Sequence, residues 1–346
     1  MSDTPNDRPL HDRITDLVAS VVPAGAEGER DEDLVTEIID TALKLVKDNT
    51  DRGEVKLINT ALKELRYSNL VFTPWHDHMK VAVYGSARIP SGDPNYLLAE
   101  EFGRRMAEDH QWMVITGAGP GIMEAANKGA GTESSFGVNI RLPFEAGANQ
   151  YLSPGNVINF KYFFTRKVQF VKEGDAFALF PGGFGTMDEA FELLTLVQTG
   201  KSDMHPIVML DAEGTGYWDA WVQMCSVLER KGMISPHDAN LYKVTTDLDE
   251  GIDEILRFFA VYHSQRYVNG KLILRLNHDV PEATVTRWSS DYADILVDGR
   301  IERTGATEAE IETDDLVDLP RLSLAFDRRS FGRLRALIDD INRTAG

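Results

Sequence analysis

The sequence predicts an α/β protein, a Rossmann-like doubly wound parallel sheet with an N-terminal helical extension and a small C-terminal α+β domain. Three observations carry that prediction. From residue 80 onward, short apolar runs alternate with amphipathic stretches, the order that builds a parallel sheet with helices on both faces. The runs "VAVY", "MVIT" and "AFALF" are continuously apolar, as strands covered on both faces are. Glycine turns close several of these runs, at Gly85, at Gly117 to Gly121 and at Gly182 to Gly185. In such sheets ligands bind beyond the carboxyl ends of the strands, where these turns lie.

The elements follow in order. Residues 1–30 are polar and proline-bearing and read as a loosely held terminus. Residues 31–78 form a helical segment. In "DEDLVTEIIDTALKLVKD", Leu34, Ile38, Ala42 and Val46 recur on one helical face. "EVKLINTALKELRYSNLVF" gives a second helix, and "FTPWHDH" marks a break. Residues 79–266 are the sheet domain. "KVAVYGSA", "WMVITGAGPG", "SSFGVNIRLP", "DAFALFPGG" and "HPIVMLD" are its strands. The stretches beginning "NYLLAEEF", "GIMEAANK", "FKYFFTRK", "TMDEAFEL" and "YWDAWVQM" are its helices. Residues 267–346 then read as strand, helix, strand, strand, helix, a small α+β appendage.

Composition narrows the function. A net charge of −19 over 346 residues opposes non-specific binding to nucleic acid or anionic membranes, which needs a basic surface. Cys225 is the single cysteine and reads as a lone buried thiol on a helix. No segment reaches membrane-spanning length and the first residues lack an apolar signal core. These features predict a cytoplasmic protein. The histidines His76 and His78 sit in a linker, and no His/Cys cluster suggests a metal.

The turn "GAGPGI" invites a dinucleotide reading, but its sixth position is Ile122 rather than Gly or Ala, and the next strand ends at Arg141 rather than an acid. Both departures disfavour a nicotinamide dehydrogenase. "PGGFGTMDE" is more informative. Gly182 and Gly183 let the backbone approach a ligand, Gly185 permits a left-handed turn, and the amides of residues 183 to 186 converge on an anion at a helix start. Thr186 and Glu189 have capping-box spacing, so Glu189 is either a cap or a catalytic acid. No Lys-Ser/Thr follows the turn, so it is not a Walker loop. In the preceding helix, Phe160, Phe164, Val168 and Val171 form the expected buried stripe, with Tyr162, Arg166 and Gln169 on another face. A guanidinium from Arg166 near this turn makes a bidentate phosphate clamp.

Taken together, Pro181 to Glu189, the pair Arg166-Lys167 and the turn "GAGPGIM" resemble the LOG family of nucleoside 5′-monophosphate phosphoribohydrolases, often labelled "lysine decarboxylase". The resemblance covers roughly residues 80 to 235 and suggests a longer bacterial member. It implies that Arg166 and Glu189 are catalytic. Lys167, Gly182, Gly183, Phe184, Gly185 and Thr186 would bind the phosphate. Thr195, Gly85, Ser86, Gly117, Gly119, Gly121, Met123 and Glu145 would complete the substrate site. The implied reaction is hydrolysis of the N-glycosidic bond of a nucleoside monophosphate, such as AMP or a cytokinin riboside monophosphate, with no cofactor and no metal. The competing reading is a non-catalytic carrier or sensor for a nucleotide or pterin-type cofactor. A homodimer or higher homo-oligomer is also implied, with the helix at 187–198 as a candidate interface element.

Overall fold

Helix formation starts earlier than the sequence reading places it. In the computed structural model, which describes residues 8–21, 31–141 and 147–345, Leu10–Ser20 is already a helix (α1) with Ile14 and Val18 buried. It packs on α2, Glu32–Lys47. Ile14 and Val18 are one helical turn apart, a pattern masked by the polar residues on either side. In α2 the expected stripe of Leu34, Ile38 and Val46 is exposed, and the buried side chain is Thr36. Helix α3, Arg52–Phe72, follows. The chain divides into two compact units, Met1–Lys63 and Glu64–Gly346, with the boundary inside α3.

The larger unit is laid down as β1 (Lys80–Tyr84), α4 (Pro94–Glu108), β2 (Met113–Thr116), α5 (Ile122–Ala130) and β3 (Ser135–Ile140). There follow β4 (Val157–Phe160), α6 (Phe163–Glu173), β5 (Ala176–Leu179) and α7 (Phe184–Gln198). The sheet closes with β6 (Ile207–Leu210), α8 (Tyr217–Arg230), β7 (Lys243–Thr245) and α9 (Leu248–Phe258). All seven strands are parallel in the order β4-β3-β2-β1-β5-β6-β7. The order reverses between β1 and β5, and the crevice above that switch point is the place where a doubly wound sheet binds its ligand. Along β1, Val81 and Val83 face a core built with Phe102, Met106 and Ile255, while Ala82 and Tyr84 face Phe170, Phe177 and Leu193. Both faces are therefore covered, as the unbroken apolar runs require. Local signals set the helix ends. Asp93 caps α4 by accepting from the Asn95 amide (2.8 Å), with Pro94 at the first helical position. The strands β4 and β7 escaped the sequence reading because both are incompletely buried and neither is a continuous apolar run, unlike the similarly short β2, β5 and β6.

The chain continues with β8 (Tyr262–Val268), β9 (Lys271–Leu276), α10 (Glu282–Asp291), β10 (Leu296–Thr304), α11 (Glu308–Glu312), β11 (Arg321–Phe326) and α12 (Phe331–Asn342). Its four strands form an antiparallel sheet in the order β10-β11-β9-β8, so β8 begins this sheet before residue 267. Leu272, Leu274 and Trp288 of this region share one continuous core with Leu193, Trp218 and Phe258 of the parallel-sheet region, through Phe331, Leu334 and Leu337 of α12.

Candidate active site

The carboxyl ends of β1, β2 and β5 open into a cleft of about 810 Å³. Three sequence segments meet there because their strands are neighbours. The Ser86 amide donates to Pro181 O (3.0 Å), and the Ile122 amide donates to Ser86 O (3.0 Å). Gly121, at φ +70°, packs so tightly that an added Cβ would lie 2.3 Å from Ser86 O. Its role is to join two turns, and it does not line the cleft. Gly85, Ser86, Gly117, Gly119 and Met123 do line it.

The third segment is Gly182 to Thr186, where β5 gives way to α7. Gly183 is the N-cap, and the first helical hydrogen bond runs from the Met187 amide to Gly183 O (3.1 Å). The amides of Phe184, Gly185 and Thr186 precede that bond, so they are free to meet an anion at the positive end of the helix. None of Gly182, Gly183 and Gly185 has positive φ, so a left-handed turn at Gly185 is not the reason for glycine. At Gly182 the reason is packing, since a Cβ would lie 2.1 Å from Thr186 Oγ1. At Gly183 and Gly185 nothing approaches within 4 Å, and the missing side chains leave the backbone open to the cleft. All five residues line the cleft.

Glu189 is not a cap. Helix α7 has no side-chain cap, and no capping box forms, because the helix starts at Phe184, two residues before Thr186. The Glu189 carboxylate instead accepts from Arg166 Nη2 (3.0 Å), with side-chain exposures of 5% and 13%. Arg166 rides on α6, whose buried face is Thr165, Gln169 and Phe170 rather than the apolar stripe expected. Phe160 belongs to β4, while Phe164 and Val168 are exposed. This rotation follows from Glu64, which accepts from the Lys161 amide (2.7 Å) and the Thr165 hydroxyl (2.6 Å). The guanidinium lies beside the Phe163 and Phe170 rings at 5.2 and 5.6 Å, and its Nε is buried without a partner among the described residues. Burial raises the Glu189 carboxyl above the ordinary carboxylate value, and the charges of Arg166 and Lys167 offset part of that rise. The pair thus places one buried anion and one polarised cation on the cleft wall, an arrangement suited to a developing positive charge and a transferred proton.

Lys167 and Thr195 stand outside the lining. Lys167 Nζ is held by Asp188 (2.8 Å) and Glu192 (3.0 Å) on the outer flank of α7. Thr195 is exposed, further along α7 beyond Glu189. Glu145 lies outside the described residues. Other lining residues escaped the sequence reading: Tyr84, Arg88, Ile140, Phe163, Phe170 and Tyr217. Arg88 carried a usable signal, a cation directly after a strand and its Gly-Ser turn. Tyr84 and Tyr217 carried none, since an aromatic at a strand end or helix start is ordinary packing. Burial raises the Tyr84 phenol well above its usual range, and the charge of Glu189 adds to the effect. Cys225 is half-buried on α8, away from this lining.

Residues 122–255 match a protein family described as "possible lysine decarboxylase". A cytokinin riboside 5′-monophosphate phosphoribohydrolase of Arabidopsis thaliana is 37% identical over 71 residues, 20% of this chain and 32% of that one. Over this stretch the chain is similar to the LOG family. A more extended match joins this chain to a probable cytokinin riboside 5′-monophosphate phosphoribohydrolase of Oryza sativa subsp. japonica. It is 21% identical over 244 residues, 68% of this chain and 91% of that one. The alignment to the Arabidopsis relative spans about a third of that relative's length. Among solved structures, a Moco carrier protein from Chlamydomonas reinhardtii aligns with 22% identity and a TM-score of 0.37, covering 52% of this chain and 96% of that one. A molybdenum cofactor binding protein from Rippkaea orientalis aligns with 17% identity and a TM-score of 0.37, covering 51% and 94%. The "lysine decarboxylase" label does not fit this cleft. Such chemistry with pyridoxal phosphate needs a Schiff-base lysine. No lysine lines the cleft among the described residues, and Lys167 is committed to two carboxylates.

Proposed function

We propose that this chain hydrolyses the N-glycosidic bond of nucleoside 5′-monophosphates to free base and ribose 5-phosphate. The observation that carries the reading is the buried Arg166–Glu189 pair beside the open start of α7. The phosphate binds the amides of Phe184, Gly185 and Thr186, and that binding energy positions the sugar. Glu189 takes a proton from water as the water oxygen bonds to C1′. The C1′–N bond breaks, its electron pair stays on the base, the base takes a proton from water, and Glu189 returns its own proton to solvent. The buried carboxylate also stabilises the oxocarbenium-like sugar. The Arg166 charge opposes the effect of burial on Glu189, and the bond from its Nη2 holds the carboxylate in place. The cleft volume of about 810 Å³ suits a ligand of this size.

The same proposal includes a cytoplasmic homo-oligomer. Phe163, Phe164, Val168, Phe184 and Phe191 are exposed on α6 and α7, and an apolar patch of this kind fits a second copy of the chain. The test incubates wild type and Glu189→Gln with a panel of nucleoside monophosphates and follows base release by chromatography, with mass read by light scattering. Base release that falls on the order of 10²–10⁴-fold in the variant supports the reading. Nucleotide that binds but stays intact supports a non-catalytic carrier or sensor instead. A monomer mass removes the oligomer.

A further inference from the structure

We infer that Tyr217 is a positioning residue of the phosphate subsite, acting through the carbonyl of Gly182. This rests on the reading of the cleft as a phosphate-ester site. The peptide joining Gly182 to Gly183 is flanked by two glycines, and its Gly183 side is open, with nothing within 4 Å of a Cβ position. Glycine has few steric barriers, so a compensated rotation of ψ at residue 182 and φ at residue 183 flips the plane of that peptide. Because a trans peptide is planar with its C=O and N–H opposed, a flip exchanges the direction of a partial negative oxygen with that of a partial positive amide. Beside an anion subsite, one orientation attracts phosphate and the other repels it. A turn of consecutive glycines therefore needs an external restraint to keep the Gly182 oxygen turned away from the anion that the amides of Phe184 to Thr186 would hold, and the Gly183 amide on its side.

Tyr217 supplies one. Its hydroxyl donates to Gly182 O, and its side chain lines the cleft. The tyrosine is itself held from β6, the strand next to β5 in the sheet. Its amide donates to Asp211 Oδ2 (2.6 Å), and Asp211 is buried. The ring packs edge-on against Trp218 at 4.9 Å, and the Trp218 indole donates to Leu210 O (3.0 Å). The restraint on the glycine turn is thus anchored in the sheet, independently of α7.

The experiment compares wild type with Tyr217→Phe, which keeps the ring on Trp218 and removes only the hydroxyl. Calorimetric titrations, run with both forms of residue 217 in the Glu189→Gln background so that AMP is not consumed, use AMP, adenosine and inorganic phosphate. Values of kcat and KM are measured for the best monophosphate in the active proteins. Loss of one restraining hydrogen bond should weaken AMP and phosphate roughly five- to tenfold, raise KM by a similar factor and leave kcat within about twofold. Adenosine affinity should stay as it is with Tyr217, and the thermal midpoint should fall only by the loss of one hydrogen bond. A purely structural tyrosine would lower the midpoint further and weaken AMP and adenosine together, which overturns the inference, as does unchanged AMP affinity. If the Tyr217 form prefers AMP no more than adenosine, the phosphate reading of the cleft itself falls and takes this inference with it.

Discussion

At the scale of single residues, the decisive fact is that Glu189 gave up a capping role for a buried partnership with Arg166. Burial raises its carboxyl, so protonation is favoured in the folded state to higher pH than in an unfolded chain. For stability, the favourable contribution is complete below the unfolded value of 4.5 and is lost as pH rises through the folded value. For activity the sign is opposite, because the proposed base must be ionised. The acid limb of kcat/KM should therefore lie above pH 4.5, the ordinary value for the group. Lys167 makes the sharper test. Its charge lowers the Glu189 pKa, yet its amine is held by Asp188 and Glu192 outside the cleft. Lys167→Ala should move the acid limb to higher pH and leave KM for monophosphate little changed, because its amine stands outside the cleft lining. A large rise in KM with an unmoved limb would return Lys167 to the phosphate-binding role that its family resemblance implies.

At the scale of elements, the glycine turn and α7 act as one device, and its glycines are not equivalent. Gly182 is a packing requirement, since a methyl there would meet Thr186 Oγ1 at 2.1 Å. Gly182→Ala should cost about 1–3 kcal/mol and weaken nucleotide binding as the turn is pushed apart. Gly185 is helical with open space around it, so Gly185→Ala should gain about 0.5–1 kcal/mol while its methyl, facing the cleft, raises KM. Chemical denaturation of both variants checks the predicted opposite signs, and equal destabilisation would contradict this account of the turn. The sequence made the strands legible because a parallel strand covered on both faces is an unbroken apolar run, as Val81 to Tyr84 shows. Motif spacing likewise made Arg166, Glu189 and the turn legible as candidates. The orientation of α6 was not legible. Its Phe164 and Val168 have the period of a buried stripe, and only Glu64, about a hundred residues away in sequence, shows why Thr165 turns inward instead. Tyr217 was illegible for the same reason, because its partner is a backbone carbonyl on another element and leaves no residue pattern.

At the scale of the molecule, the question is whether the antiparallel sheet folds with the parallel one or beside it. Arg275 and Arg321 are direct cross-strand neighbours on β9 and β11, and both are buried. Like charges so placed repel, and Glu310 of α11, lying between them, offsets that repulsion together with Asp315, which accepts from Arg275 Nη2. Glu310 accepts from Arg275 Nη2 (2.7 Å), Arg321 Nε (3.1 Å) and the Thr307 amide (2.9 Å). Burial alone would raise the Glu310 carboxyl. The bonds from Thr307 and Arg275 outweigh it and bring the pKa down to about 2. A depressed carboxylate contributes stability above its unfolded value of 4.5 that is lost as pH falls toward 2. Glu310→Ala leaves two opposed arginines buried without their shared anion, a loss of about 3–5 kcal/mol. Because the apolar core runs without a break from Leu272 and Trp288 through α12 to Leu193 and Trp218, that loss should lower one cooperative transition reported equally by both regions. Far-ultraviolet circular dichroism and ligand protection of the cleft during urea unfolding would then give the same reduced midpoint. A variant in which the antiparallel sheet melts early while the cleft still binds nucleotide would show that the shared core does not couple the two sheets.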